Sequence, residues 1–429
     1  MQYGVIPGVA DPSNQLRVIL GDSPNLDAAH RLRISLPLSL FDQAFEWDLA
    51  DLFWNETLVG AGTVTYDANN SSALLTTDTG ATDSVIRQTR DYHHYRPGKS
   101  HLIPLTFTFG AAVANVRRRA GYFDAQNGIF LEQNGTTDIA IVRRTNVSGS
   151  PVDNRVAQAD WNLDTLNASD SVAKNPSRVT LDLSLAQLLI IDLQWLSEGR
   201  VRVGFEIAGS RIYVHEFNAA NLLVGPYMET ASLPVRFEIT NLAGQSVAHT
   251  LRQGCSSVIT EDGEQDEFGL FFSADNGTTP IAVTTRRAIL SIRPKAVFGP
   301  ASKKNRVPIQ VQTFNLLVAT NNARWEIVYN PTFTGTPVWV DPGTHSAVEY
   351  SVHGDAAAGA ITNGIMLNGG YVAAGIGIAA GSIVQTPLLN RLKATLDMAG
   401  ANPRAFSLVL TAMTGTTNVA GALSWKESR

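Results

Sequence analysis

The stretch Leu189-Ile-Ile-Asp-Leu-Gln-Trp-Leu196, Ser197-Glu-Gly-Arg200, Val201-Arg-Val-Gly-Phe-Glu-Ile207, Ala208-Gly-Ser210, Arg211-Ile-Tyr-Val-His-Glu-Phe217 decides the fold. Three runs alternate apolar and polar residues with period two, and short turns containing glycine separate them, as in an antiparallel meander. Ile191, Leu193 and Trp195 share one face, with Asp192 and Gln194 on the other. Val201, Val203, Phe205 and Ile207 likewise oppose Arg202, Gly204 and Glu206. A sheet with one apolar face needs a second layer over it, so an antiparallel β-sandwich is expected.

Outward from that stretch the chain keeps the same grammar. Its 429 residues carry 35 Gly and 19 Pro, with only 17% charged residues. That describes a turn-rich all-β protein of about two to four domains. The expected layout is an extended N-terminal arm over 1–60, a β-sandwich over 61–298 and a smaller β-domain over 299–429. Pro7, Pro12, Pro24 and Pro37 break the arm into short strand-like pieces that must add to a sheet of this chain or of a neighbouring copy. Leu40 to Trp54, rich in aromatics and acids, reads as an extended segment laid over a groove or as a short amphipathic helix. Asn127-Gly128 and Asn134-Gly135 are tight-turn signals. Pro387 to Ala399 is a helix or strand candidate, and Trp325 to Tyr329 and Ala347 to Val352 are strands.

A net charge of −5 argues against a general nucleic-acid-binding field. With Cys255 as the single cysteine there is no intramolecular disulfide and no cysteine zinc cluster, which suits folding in a reducing compartment. The N-terminal text lacks the basic and apolar regions of a secretory signal. The tract Gly364 to Val384 is too rich in Gly and Ala for a membrane span, so no membrane insertion is expected.

Each candidate for chemistry meets an objection. Gly98-Lys99-Ser100 lacks the upstream glycine of a phosphate loop, which falls on His93, and a strand follows instead of a helix. His93, His94 and His101 have no helical ligand spacing for a metal. The acidic run Glu261 to Glu267 lacks the alternating ligand pattern of a calcium loop, so a solvated turn is the expectation. There is no Gly-X-Ser-X-Gly elbow. Asp124, Glu132, Asp192, Glu206, Glu216 and Glu238 are carboxylates that only the fold can bring into a glycoside-cleaving pair. No catalytic, metal or cofactor residue is therefore assigned, and the chain is expected not to be an enzyme. Arg117-Arg118-Arg119, Arg143-Arg144, Arg286-Arg287 and Lys303-Lys304 cannot each form one patch, because neighbours on a strand point to opposite faces. Inter-subunit salt bridges are expected there, with an acidic glycan as the alternative.

Several segments in order carry a resemblance: Tyr95 to His101, Arg118 to Glu132, Val142 to Gly149, Trp161 to Asp164, Gln194 to Leu196, Gly199 to Phe205, Val214 to Asn218 and Leu233 to Glu238. Together they resemble a group of tailed-bacteriophage virion structural proteins, common in aquatic phages, over roughly residues 90 to 260. The central region also resembles concanavalin-like (laminin-G-type) sandwiches of jelly-roll form. The virion resemblance implies a structural protein of the particle, assembled in the host bacterial cytoplasm and working as a homo-oligomer, with a trimer favoured. A tail-associated place (fibre, tailspike or baseplate) that contacts host surface glycans is expected, with a head decoration or cement role as the alternative. A glycan depolymerase is a third class. The partners implied are other virion structural proteins and host glycan, with no nucleic acid and no cofactor. The arm would dock through Leu16, Val18, Leu20, Leu32, Ile34, Leu36, Phe45, Trp47, Phe53 and Trp54, by strand addition or groove packing.

Overall fold

The computed structural model describes residues 26–29, 31–32, 36–261, 269–375 and 392–429. The protein is all-β and antiparallel throughout, as the period-two patterning predicts. It divides into two compact units, and neither is one continuous piece. Met1–Leu49, Thr57–Arg87 and Tyr95–Gln265 form the first, and Ala50–Glu56, Gln88–His94 and Asp266–Arg429 the second. A boundary near residue 299 does not match this division. Ala274, Ile281, Val283 and Ile289 already belong to the same core as Trp325 and Trp425.

Fifteen strands lie between Leu38 and Thr260: β1 (Leu38–Gln43), β2 (Trp54–Val59), β3 (Thr63–Asp67), β4 (Ser72–Thr77), β5 (Ser84–Thr89), β6 (His101–Thr108), β7 (Val116–Phe123), β8 (Gly128–Asn134), β9 (Asp138–Thr145), β10 (Val152–Ala157), β11 (Gln187–Leu193), β12 (Val201–Ile207), β13 (Ser210–Phe217), β14 (Val235–Asn241) and β15 (His249–Thr260). An eight-stranded sheet runs β13-β12-β11-β6-β15-β4-β3, with β1 added to β15, and a seven-stranded sheet runs β10-β9-β8-β7-β14-β5-β2. In the meander the apolar residues of β11 and β12 pair with one another, Ile191 opposite Val203 and Leu193 opposite Val201. β6 shows why such text becomes a strand with one face inward: His101, Ile103, Leu105 and Phe107 are buried while the residues between them are only partly so. The two sheets face each other through side chains such as Tyr122 of β7 and His101 of β6, whose rings lie 6.3 Å apart.

On the polar side of the meander, two charged side chains are buried. Asp192 and Arg202 are both 0% exposed and ion-paired at 2.7 Å. Tyr213 Oη donates to Asp192 at 2.9 Å, and the Arg202 guanidinium lies 4.1 Å from the Tyr213 ring centroid. The cover is part of the arm: Arg202 donates to the Leu26 carbonyl and Arg200 to that of Ala28. Ser100 donates to Asp27, whose carboxylate also holds Arg31. Burial pushes the Asp27 carboxyl up, but the hydrogen bonds from Arg31 and Ser100 hold it below its usual range.

The second unit is also two-layered. One sheet orders Val348–Val352, Arg287–Pro294, Phe406–Ala412, Ala323–Tyr329 and Ile365–Val372. The other pairs Leu270–Asp275, Ile281–Val283 and Ile309–Ala319 with Thr417–Glu427. Of the helix or strand candidate at 387–399, residues 392–399 form neither, apart from an isolated bridge between Ile309 and Ala394. No helix among the described residues is long and apolar enough to cross a membrane.

Candidate functional site

The seven-stranded sheet has an inner face, carrying Ala120 and Tyr122, and an outer face on which its registers gather most of the charge. Alternation along β7 sends Arg117, Arg119, Gly121 and Phe123 outward. Cross-strand pairing then fixes four rows. Thr240, Arg117, Asn134 and Asp138 form the first row. Glu238, Arg119, Glu132 and Ala140 form the second, and Arg236, Gly121, Phe130, Val142 and Arg155 the third. Phe123, Gly128, Arg144 and Asp153 form the fourth. The turns that set these registers are the ones expected, Gly128 and Gly135 both having positive φ.

The floor of this face is apolar. Phe123, Phe130, Ala140 and Val142 form a buried cluster, with the two rings 4.3 Å apart. Two glycines make room for them. A Cβ on Gly121 would lie 2.5 Å from Phe130 Cα, and one on Gly128 would lie 2.1 Å from Phe123 Cβ. Guanidinium groups roof the rings: Arg119 and Arg144 each lie 5.1 Å from the Phe130 centroid, and Arg236 lies 5.4 Å from that of Phe123.

Carboxylates lock this roof. Arg119 bonds Glu132 at 2.7 Å and Glu238 at 3.3 Å, and Arg155 bonds Glu132 at 2.6 Å and Asp138 at 2.7 Å. Arg236 donates to Glu238 at 2.6 Å, and Arg144 grips Asp153 through two nitrogens at 2.7 and 2.8 Å. Burial raises the Glu238 carboxyl, but Arg236 and Arg119 outweigh it and hold the group below its ordinary range. Arg117 stands apart: its side chain makes no hydrogen bond or ion pair among the described residues. Burial and the like charge of Arg119 depress its pKa. Arg117, Arg119, Arg144, Arg155 and Arg236 against Glu132, Asp138, Asp153 and Glu238 leave an excess of one positive charge, which sits at Arg117.

The arginine runs behave as alternation predicts, and Arg118 does point the other way, to Gln133 and the carbonyls of Ala111 and Thr250. The sheet nonetheless builds a patch by joining alternate arginines across strands. Of the six candidate carboxylates only Glu132 and Glu238 come together, and Arg119 bridges them. Glu206 pairs with Arg211 and Glu216 with Arg200, while Asp124 caps the β7–β8 turn. Among the described residues no group of three His, Cys, Asp or Glu could hold a metal. Gly98-Lys99-Ser100 is a turn, Lys99 N–H donating to the Arg96 carbonyl at 3.1 Å.

The docking-arm residues divide. Leu16, Val18, Leu20 and Ile34 lie outside the described residues, as does the acidic run after Glu261. Leu32, Leu36 and Trp47 are exposed, Trp47 at 86%. Phe45 and Trp54 are 0% and 1% exposed, and Phe53 packs on the core of the second unit. Phe45 and Trp54 are therefore interior packing of their own chain, while Phe53 is only partly buried. Between the strands that end at Gln43 and begin at Trp54 the segment is bends and turns, neither a helix nor a continuous extended piece.

No family model and no curated protein matches the sequence. Solved structures similar to this chain include a glycoside hydrolase family 16 enzyme of a mixed-linkage-glucan locus of Bacteroides ovatus, at 9% identity and a TM-score of 0.35, covering 51% of this chain and 99% of that one. A β-1,3-glucanase from Mycobacterium marinum follows at 15% identity and a TM-score of 0.34, covering 52% and 98%. A legume lectin-like domain from Entamoeba histolytica has 10% identity and a TM-score of 0.30, covering 52% and 97%. The expectation that the chain is not an enzyme is corrected here, since several of these similar folds are glycoside hydrolases. A likeness at this level assigns no activity, substrate or partner to this chain. The chain's own sheets establish an all-β, antiparallel architecture and nothing narrower.

Proposed function

We propose that this chain is a structural protein of a bacteriophage particle that contacts host surface glycans through the outer face of its seven-stranded sheet. The observation that carries the glycan contact is that face itself. An aromatic floor is roofed by fixed guanidinium and carboxylate groups, and beside them lie the neutral side chains of Thr240 and Asn134. The paired guanidinium and carboxylate groups of that roof are pre-positioned donors and acceptors for sugar hydroxyls, so little side-chain entropy is lost on binding. The virion setting rests on the ordered segments between Tyr95 and Glu238 that resemble phage structural proteins. A tail-associated place is the first choice, with head decoration second. Docking onto neighbouring virion proteins, in a homo-oligomer, would fall to exposed arm residues such as Leu32, Leu36 and Trp47.

Two measurements test this. The full chain is applied to an array of bacterial surface glycans, where binding is expected and its absence refutes the contact. Antibody to residues 61–298 is applied to intact virions with a gold label. Gold on the tail is expected, and gold spread over the head would replace adsorption with capsid decoration.

A further inference from the structure

Resting on that glycan reading, we propose that the first row of the outer face binds the carboxylate of an acidic saccharide, with Arg117 as the anion-binding residue. Every other arginine of the face is committed: Arg119 to Glu132 and Glu238, Arg144 to Asp153, Arg155 to Glu132 and Asp138, Arg236 to Glu238. Arg117 is half-buried and has no anionic partner within bonding distance, and its nearest outward neighbour on β7 is another cation, Arg119. A partly desolvated guanidinium beside a like charge is stabilised when an anion arrives, and its planar fork matches a carboxylate.

The flanks of Arg117 are neutral and suit hydroxyl groups. Thr240 lies on one side, sharing a 2.9 Å hydrogen bond with Ser84, and Asn134 lies on the other. Asp138, at the far end of the row, is already neutralised by Arg155. A cation set among a hydroxyl pair and a carboxamide fits a uronic acid within a polymer better than a bare phosphate, which calls for several donors of positive charge.

Calorimetric titration of the full chain with three oligosaccharides of equal length, one containing glucuronate, one neutral and one sulfated, tests this. The expected result is tightest binding of the glucuronate chain. Arg117→Gln should then weaken it at least about tenfold, with the melting temperature unchanged because no partner is lost. Arg117→Lys keeps the charge without the fork and should retain part of the affinity; it also carries the test if Arg117→Gln does not fold. Equal binding of neutral and acidic chains, or no effect of either substitution, overturns the inference and leaves the glycan contact standing. Preference for the sulfated chain overturns the carboxylate assignment. Binding of none of the three overturns the inference, whereas the glycan contact falls only if the array is also empty.

Discussion

Replacing Arg202 by Met should be among the most damaging single changes in the first unit. The substitution keeps the length of the side chain and removes its charge. Asp192 then stays in a fully buried site, with Tyr213 Oη at 2.9 Å, and its cationic partner is gone. Breaking a buried pair from one side costs about 3–5 kcal/mol, a large part of the roughly 5–15 kcal/mol that holds a domain together. The donation to the Leu26 carbonyl is lost as well, so the arm segment should loosen. The double variant Asp192→Leu/Arg202→Met removes both charges and should return to within about 2 kcal/mol of the parent, because buried pairs are often matched by apolar residues of similar volume. Hydrogen exchange of the β11–β13 peptides gives the opening free energy locally, and trypsin cleavage after Arg31 reports the arm. A single-variant cost below about 1 kcal/mol, or a double variant as damaged as the single, would refute the account of a desolvated pair sealed by the arm.

Gly121→Ala puts a methyl group 2.4 Å from the Ile129 carbonyl oxygen, so a loss of about 1–3 kcal/mol is expected by urea unfolding; an unchanged midpoint would show that the floor has room. His353 is held down to about 4, first by burial and then by Arg287, and its Nε2 lies 2.9 Å from Ser291 Oγ. Its unfolded form protonates near 6.5, so stability of the second unit should fall by roughly 1.4 kcal/mol per pH unit between about 6.5 and about 4, and level off below. His353→Gln should flatten that slope, and an unaltered slope would rule His353 out as its source.

Much of this was legible in the residues, and the physical reason differs from element to element. Alternation in Leu189–Phe217 named the meander and its inner face, because a strand's side-chain period is local information. It could not tell that Asp192 and Arg202 are dry, since their cover is Leu26 to Ala28, far away in the chain. The arginine runs gave the facing of Arg117, Arg118 and Arg119 correctly. Their assembly with Glu132, Glu238 and Asp153 depends on four strand registers, of which only the turns at Asn127-Gly128 and Asn134-Gly135 left a trace in the text. Aromatic richness around Phe45 to Trp54 marks a surface that must be covered, and the same composition serves a neighbour's groove or the chain's own core. Phe45 and Trp54 went to the core. That the second unit reaches back for residues 50–56 and 88–94 is written nowhere in the local pattern.

Those two borrowed pieces impose an order on synthesis. They leave the ribosome early, yet Leu52 and Phe53 pack against strands that begin only after residue 266. At about 5–20 residues per second that is a wait of roughly ten seconds or more, with apolar side chains uncovered. A nascent chain of this design invites holdase chaperones at its N-terminal quarter. It also cannot be shuffled between relatives as two cassettes, since any single crossover leaves at least one unit built from both parents.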